Sequence, residues 1–204
     1  MTEPSSKSTL AYAAIKAALL DGTLRSGEWI NVRAWASELK ISDTPVKFAL
    51  MALQGEGLVE AHARQGFVVP DFNEISLRDL FDIRCEFYLM ATRGAHPRHG
   101  DFDTPVTAPS LADLQLLTEQ LFVAIALSAG RTELAAQIER INSRLSLVHR
   151  FKLELLTDLE DEFLRMAQAW SRGDLEGLEA EVFQYTRRRQ AAVSKIVARS
   201  RQGR

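Results

Sequence analysis

The chain has 204 residues, a formal net charge of −2 from 25 basic and 27 acidic side chains, and a single cysteine. That length holds one or two domains, and the near-zero charge excludes strong long-range attraction to a polyanion. One cysteine excludes an intramolecular disulfide framework and suits a reducing cytoplasm, and no apolar run approaches the ~20 residues of a membrane-spanning helix.

Residues 1–8 are polar, lack the apolar core of a signal peptide and read as a disordered arm. Residues 9–21 carry apolar side chains at helical spacing, and Gly22 ends the run. Asn31 is the predicted N-cap of a second helix over about 32–39. Ser42 is the predicted N-cap of a third, with Pro45 in its first turn, where the missing N–H breaks no helical bond. Gly55 and Gly57 mark the end of that helix. Residues 58–61 and 67–70 then read as two strands around Arg64-Gln65-Gly66, a wing. Residues 9–71 thus follow the plan of a winged helix-turn-helix, whose third helix enters the DNA major groove.

In that plan the N-terminal residues of the third helix reach base edges. They are Ser42, Asp43, Thr44 and Lys47, and the helix N-terminus itself favours phosphate. Arg33, at the start of the second helix, would lie beside the DNA backbone or the groove edge, and His62 and Arg64 would extend from the wing. Winged helices also serve as protein-interaction modules, and the charge count keeps that alternative open. Between residues 8 and 70, six basic side chains (Lys16, Arg25, Arg33, Lys40, Lys47, Arg64) meet six acidic ones (Asp21, Glu28, Glu38, Asp43, Glu56, Glu60), leaving a balance of zero. A strong DNA binder carries a basic footprint instead.

Residues 72–200 are almost wholly helical in pattern. Asn73 or Ser76 can cap a helix running to about Gly94. Residues 95–110, with His96, Pro97, His99, Gly100, Pro105 and Pro109, read as a long loop. Helices follow at about 111–128, 131–156, 158–172 and 174–198, punctuated by Gly130 and Gly173. The expected fold class is mainly α: an N-terminal winged helix-turn-helix plus a C-terminal all-α bundle. Cys85 reads as a small buried apolar residue. The arginine-rich stretch 187–204 reads as a favourable helix C-terminus with a solvated end, or as a contact to DNA or a neighbouring subunit. No nucleophile–base set, phosphate loop or metal triad is visible, which argues against an enzyme.

The run Ile41-Ser42-Asp43-Thr44-Pro45-Val46-Lys47, continuing through Leu53-Gln54-Gly55-Glu56-Gly57-Leu58-Val59 to Gly66-Phe67-Val68, resembles the GntR family of bacterial transcription regulators. The resemblance implies operator contact by Arg33, Thr44, Lys47 and the wing around Gly66. The chain departs from the family at Asp43, usually Arg, and at Lys47, usually a second Arg; Lys lacks the bidentate fork that Arg offers guanine.

Three places in the helical part, residues 79–84, 126–134 and 162–169, resemble the effector-binding domain of the FadR-type branch. That branch commonly holds a divalent metal through one Asp and three His. The matching positions here are Thr118, Phe122, Phe163 and Tyr185, so the resemblance implies a lost metal site and no cofactor. Arg84 falls where the family's pocket arginine pairs with a ligand carboxylate; a salt bridge to Asp82 or Glu86 is the alternative. Tyr88, Phe122, Phe163 and Tyr185 either line an apolar pocket with Arg84 or fill a core. The expected partners are a double-stranded DNA operator, a second copy of the chain and a small organic acid; the alternative is an effector-independent or partner-controlled regulator whose helical domain only dimerises.

Overall fold

The computed structural model describes residues 6–97 and 111–201. Residues 1–5 of the expected arm, most of the expected 95–110 loop with His99, and residues 202–204 lie outside them. The described residues divide into two compact units: 6–72 with 143–150 and 198–201, and 73–97 and 111–142 with 151–197.

The first unit contains α1 (Ser6–Asp21), β1 (Trp29–Ile30), α2 (Val32–Glu38), α3 (Asp43–Gly55), β2 (Glu60–His62) and β3 (Gly66–Val68). The helix α1 starts at Ser6, so the last residues of the expected arm are helical. Its buried Ala11, Ile15, Ala18 and Leu19 belong to one core with Val46, Ala49, Leu50 and Leu53 of α3. At the edge of that core Lys16 Nζ lies 2.8 Å from Glu56 Oε2 and 2.7 Å from the Tyr12 hydroxyl. Asn31 caps α2, its Oδ1 accepting from Ala34 N–H at 3.1 Å. Ser42 holds the N-cap position of α3 in extended backbone, but its side chain makes no capping bond. Gly57, at φ +78°, takes the left-handed turn that releases the chain from α3.

The sheet has the order β1-β3-β2, all antiparallel, with Trp29 opposite Val68, Ala61 opposite Phe67 and His62 opposite Gly66. Sequence reading expected two strands, at 58–61 and 67–70. The structure shifts both and adds β1. Leu58 and Val59 are drawn into the core ahead of the pairing, and Val69 N–H donates instead to Glu28 O at 2.9 Å.

The second unit holds α4 (Glu74–Thr92), α5 (Leu111–Ser128), part of α6 (Thr132–Ser146), most of α7 (His149–Leu155), α8 (Leu159–Ser171) and most of α9 (Leu175–Arg201). A full capping box starts α4: Ser76 N–H donates to Asn73 Oδ1 at 2.8 Å, and Asn73 N–H donates to Ser76 Oγ at 3.1 Å. The expected helix 131–156 is broken into α6 and α7. At the break Ser146 Oγ donates back to Ser143 O at 2.6 Å, and Val148 N–H closes a tighter turn on Leu145 O. The core draws on α4, α5, α6, α8 and α9, through side chains such as Leu89, Ile125, Ile138, Trp170 and Val182. Gln190 ties α9 to α4, its Nε2 donating to Asp82 Oδ1 at 2.6 Å. No helix among the described residues is long and apolar enough to cross a membrane.

Candidate nucleic-acid interface and a buried polar core

The seven residues singled out in the first unit, Arg33, Ser42, Thr44, Lys47, His62, Arg64 and Gly66, are all exposed. Three of them share the start of α3. Its Pro45, Val46, Ala49, Leu50 and Leu53 are buried, which turns Thr44 and Lys47 outward. The outward face continues through Phe48 and Met51, each 59% exposed. Thr44, Lys47, Phe48 and Met51 follow the spacing i, i+3, i+4, i+7 of one helix face. Sequence reasoning missed Phe48 and Met51; the signal was their placement opposite the Val46–Ala49–Leu50–Leu53 stripe. Asp43 is half-buried in the first turn.

The wing presents a second polar surface. Across β2 and β3, His62 faces Gly66 directly. His62 Nε2 lies 3.7 Å from Glu60 Oε2, and its ring meets Trp29 edge-on with centroids 5.5 Å apart. Between the strands Arg64 adopts φ +65°, and Gly66, the first residue of β3, adopts φ +109°, with Gln65 N–H donating to His62 O at 3.1 Å. This turn holds the Arg64 side chain in solvent.

In the second unit Arg84, Tyr88, Phe122, Phe163 and Tyr185 are all buried. Tyr88 and Phe122 stack with centroids 3.7 Å apart and planes 8° from parallel. The Arg84 guanidinium carbon lies 4.9 Å from the Tyr185 ring centroid, 5.2 Å from that of Phe81 and 5.7 Å from that of Tyr88. Phe163 sits apart, in a smaller cluster with Leu114, Leu159 and Ala167. Arg84 is 1% exposed, and its Nη1 and Nη2 find no hydrogen-bond partner among the described residues. The alternative of a salt bridge to Asp82 or Glu86 is therefore not what the structure contains; both carboxylates are exposed.

Thr118, Phe122, Phe163 and Tyr185 do not fit a divalent cation. None is a carboxylate or imidazole, and the Thr118 hydroxyl is committed to Leu114 O at 2.8 Å. Among the described residues no three His, Cys, Asp or Glu side chains gather as a metal-binding group.

Sequence reasoning missed several polar residues of this core. Arg189, expected in a helix end that is solvated or meets DNA or a neighbouring subunit, is buried against Glu162. Its Nη2 lies 2.8 Å from Glu162 Oε2, its Nη1 donates to Glu162 Oε1 at 3.0 Å, and its guanidinium carbon sits 3.3 Å from the Tyr185 centroid. Arg188 Nη1 adds a third bond to the same carboxylate at 2.9 Å. Lys152, on α7, is 2% exposed with no partner for its Nζ among the described residues. Burial holds its amine well below the usual lysine range; Arg84 and Arg189 push the same way and Glu119 opposes them. Burial likewise raises the Glu119 carboxyl, against Lys152, Gln115 and Arg84. Tyr88 donates its hydroxyl to Asn142 Oδ1 at 3.1 Å, leaving Asn142 Nδ2 unpaired among the described residues.

Residues 7–69 match the family described as bacterial regulatory proteins, gntR family. The HTH-type transcriptional regulator McbR of Escherichia coli (strain K12) is 30% identical over 153 residues, a stretch covering 74% of this chain and 65% of that protein. The chain thus spans just under two thirds of that relative's length. The solved structure of E. coli McbR/YncC is similar with a TM-score of 0.64 at 22% identity, covering 93% of this chain and 98% of that one. A putative transcriptional regulator GntR from Rhodococcus sp. RHA1 gives 0.71 at 16% identity, covering 94% and 99%. At these identities the two structures speak for the fold: a winged helix-turn-helix with a small three-stranded wing, followed by an all-helical domain.

Proposed function

We propose that the chain, whose residues 7–69 match the GntR family of bacterial regulatory proteins, is a transcription regulator of that family, not an enzyme, that binds a pseudopalindromic DNA operator as a homodimer. The outward face of α3, with Thr44 and Lys47 opposite a fully buried stripe, is the observation that carries this reading. Such a face enters the major groove while Arg33 and the Arg64–Gly66 turn contact the flanking backbone. Each reader is electrically neutral, so two half-sites bound together supply the affinity that one lacks. The protein works where DNA is, in the cytoplasm.

The helical unit acts as the sensor in this reading. A buried guanidinium without a partner is unfavourable, and a small organic acid supplies the bidentate carboxylate that Arg84 lacks. Tyr88, Phe122, Tyr185 and, from its own cluster, Phe163 form the apolar surround. The acid changes operator affinity to the extent that it binds one conformation of the dimer better than another. Two observations favour a second reading, in which the helical unit only dimerises: the Tyr88–Phe122 stack already fills space, and the cavity beside Glu162 and Arg189 measures about 10 Å³.

Fluorescence anisotropy with DNA from the gene's own upstream region tests the regulator. Specific binding, absent on scrambled DNA and abolished in Arg33→Ala, is the expected result. Equal binding to both DNAs at every salt concentration would remove operator recognition. Melting curves with a panel of organic acids then separate the two readings of the helical unit.

A further inference from the structure

The helix α3 carries apolar side chains on two opposite faces. Val46, Ala49, Leu50 and Leu53 supply the core of the first unit and are at most 2% exposed. Phe48 and Met51 belong to no part of that core and are each 59% exposed. One exposed apolar side chain is ordinary on a protein surface. Here two stand one turn apart, and Thr44 and Lys47 share their face. At about 100° per residue, the four side chains fall within an arc of about 100°.

The chemistry of this face narrows what it can recognise. The exposed side chains of α3 are Thr44, Lys47, Phe48, Met51, Ala52 and Gln54. Phe48, Met51 and Ala52 are apolar, and Lys47 is the only cation. No guanidinium is among them, so the fork that reads guanine most firmly is missing. In the major groove the base pairs present one apolar feature, the C5-methyl group of thymine. Phe48 has no polar atom to offer a base edge and Met51 only a weakly accepting sulfur, whereas both match a methyl group. The first unit is also electrically neutral over residues 8–70, so phosphate contacts alone hold DNA weakly. Apolar burial at base edges adds what charge does not.

We propose that Phe48 and Met51 are base-reading residues that pack against thymine methyl groups in the major groove of each operator half-site. The proposal rests on the operator-binding reading above and extends it to two residues that reading did not contain. Their face is continuous with Thr44 and Lys47, so DNA lying against those two meets Phe48 next and Met51 one turn further. Phe48 brings a rigid ring, and the flexible thioether of Met51 adapts to where its methyl lies. From Thr44 to Met51 the helix advances ~10 Å, which is about three base-pair steps. The thymines read are therefore clustered, within about three base pairs of the base that Thr44 meets. These contacts neutralise no phosphate, so they release no counterions and add specificity without salt dependence.

The test uses the full chain and the upstream DNA fragment it binds, with deoxyuridine replacing each thymidine in turn on both strands. That exchange removes the methyl alone and leaves the base pairing and the O4 acceptor in place. Anisotropy affinities at several salt concentrations, melting temperature and mass by light scattering are read for the parent, Phe48→Ala, Met51→Ala and Lys47→Ala. For the parent, deoxyuridine at one or two clustered positions of each half-site is expected to weaken binding about fourfold, the effect of one buried methyl. Phe48→Ala is expected to bind the thymine operator more weakly and to be indifferent to deoxyuridine at one of those positions. Met51→Ala does the same at a neighbouring position. Both variants keep the parent's salt slope and melting temperature, and Lys47→Ala keeps the deoxyuridine effect. If only one of the two variants loses the effect, the other residue is struck from the proposal. Specific binding by the parent that no deoxyuridine weakens overturns the proposal and leaves the regulator reading standing. A deoxyuridine effect undiminished in both variants overturns it too; if the variants then differ from the parent in mass, the face meets a second copy instead. Failure of the parent to prefer any upstream fragment over scrambled DNA removes the regulator reading, and this proposal with it.

Discussion

In the first unit the polar residues proposed to contact DNA stand in solvent: Arg33, Thr44, Lys47, His62 and Arg64 are exposed above a largely apolar core. In the second unit the order is inverted: Arg84, Lys152, Glu162 and Arg189 are buried, Arg84 and Arg189 against aromatic rings. A surface that meets a polyanion keeps its charges hydrated until the partner arrives, so it takes little from the fold. A core that buries charges makes them part of stability and ties stability to whatever pairs with them. Substitution should therefore separate binding from folding in the first unit and couple the two in the second.

The largest expected effect breaks that coupling at its centre. Glu162→Ala strips the carboxylate from two arginines, leaving Arg189 charged and buried. Loss of one partner from such a pair costs about 3–5 kcal/mol. The helical unit's urea-unfolding midpoint should fall accordingly. A drop under about 1 kcal/mol, the range of an exposed pair, would mean that Arg189 reaches water and that the two units do not differ as described.

On the first unit, Arg33→Ala and Lys47→Ala should weaken operator binding while leaving the melting temperature nearly unchanged. If Lys47 reads a base, its truncation costs about 1–3 kcal/mol of binding and relaxes specificity at one position; if Arg33 holds a phosphate, its truncation lowers the salt slope by about 1. A fall in stability comparable to the fall in affinity would erase the contrast between the units.

The wing gives a smaller, mixed case. Gly66 sits at φ +109° with open space where a side chain would begin, so Gly66→Ala meets backbone strain alone. That strain is on the order of 1 kcal/mol or more, and it should move both the melting temperature and the operator affinity, because the turn also holds Arg64 outward.

The first unit was the more legible of the two in sequence for the same physical reason. Its cues are local: Asn31 as a cap, Gly57 as a stop, and Arg64-Gln65-Gly66 as a turn each act within a few residues. Even there β1 escaped, since two residues are too short to show alternation. The second unit's decisive contacts are long-range. Arg189 reads as one more arginine in a basic run until Glu162, 27 residues away, is found beside it. Nothing in the local sequence around Lys152 marks it as interior, yet it is 2% exposed. The α6–α7 break was equally silent, because neither glycine nor proline marks it. Arg84 and the aromatic set came from family likeness, and composition alone would have placed them in a uniform core.

The smallest expected effect separates two residues that the sequence treats alike. Asn31 and Ser42 both hold N-cap positions, and both are exposed. The Asn31 side chain accepts a backbone N–H, so Asn31→Ala should cost about 1 kcal/mol, the usual value for removing a cap. The Ser42 hydroxyl makes no such bond, so Ser42→Ala should leave the melting temperature within error of the parent. If Ser42 matters, it does so at the start of α3 where phosphate is expected, and its removal should appear only in operator affinity and in the salt slope. Equal destabilisation by the two substitutions would show that Ser42 caps α3 in solution. The start of the reading helix would then owe its geometry to a local hydrogen bond, and Ser42 would join the stability-bearing residues of the first unit.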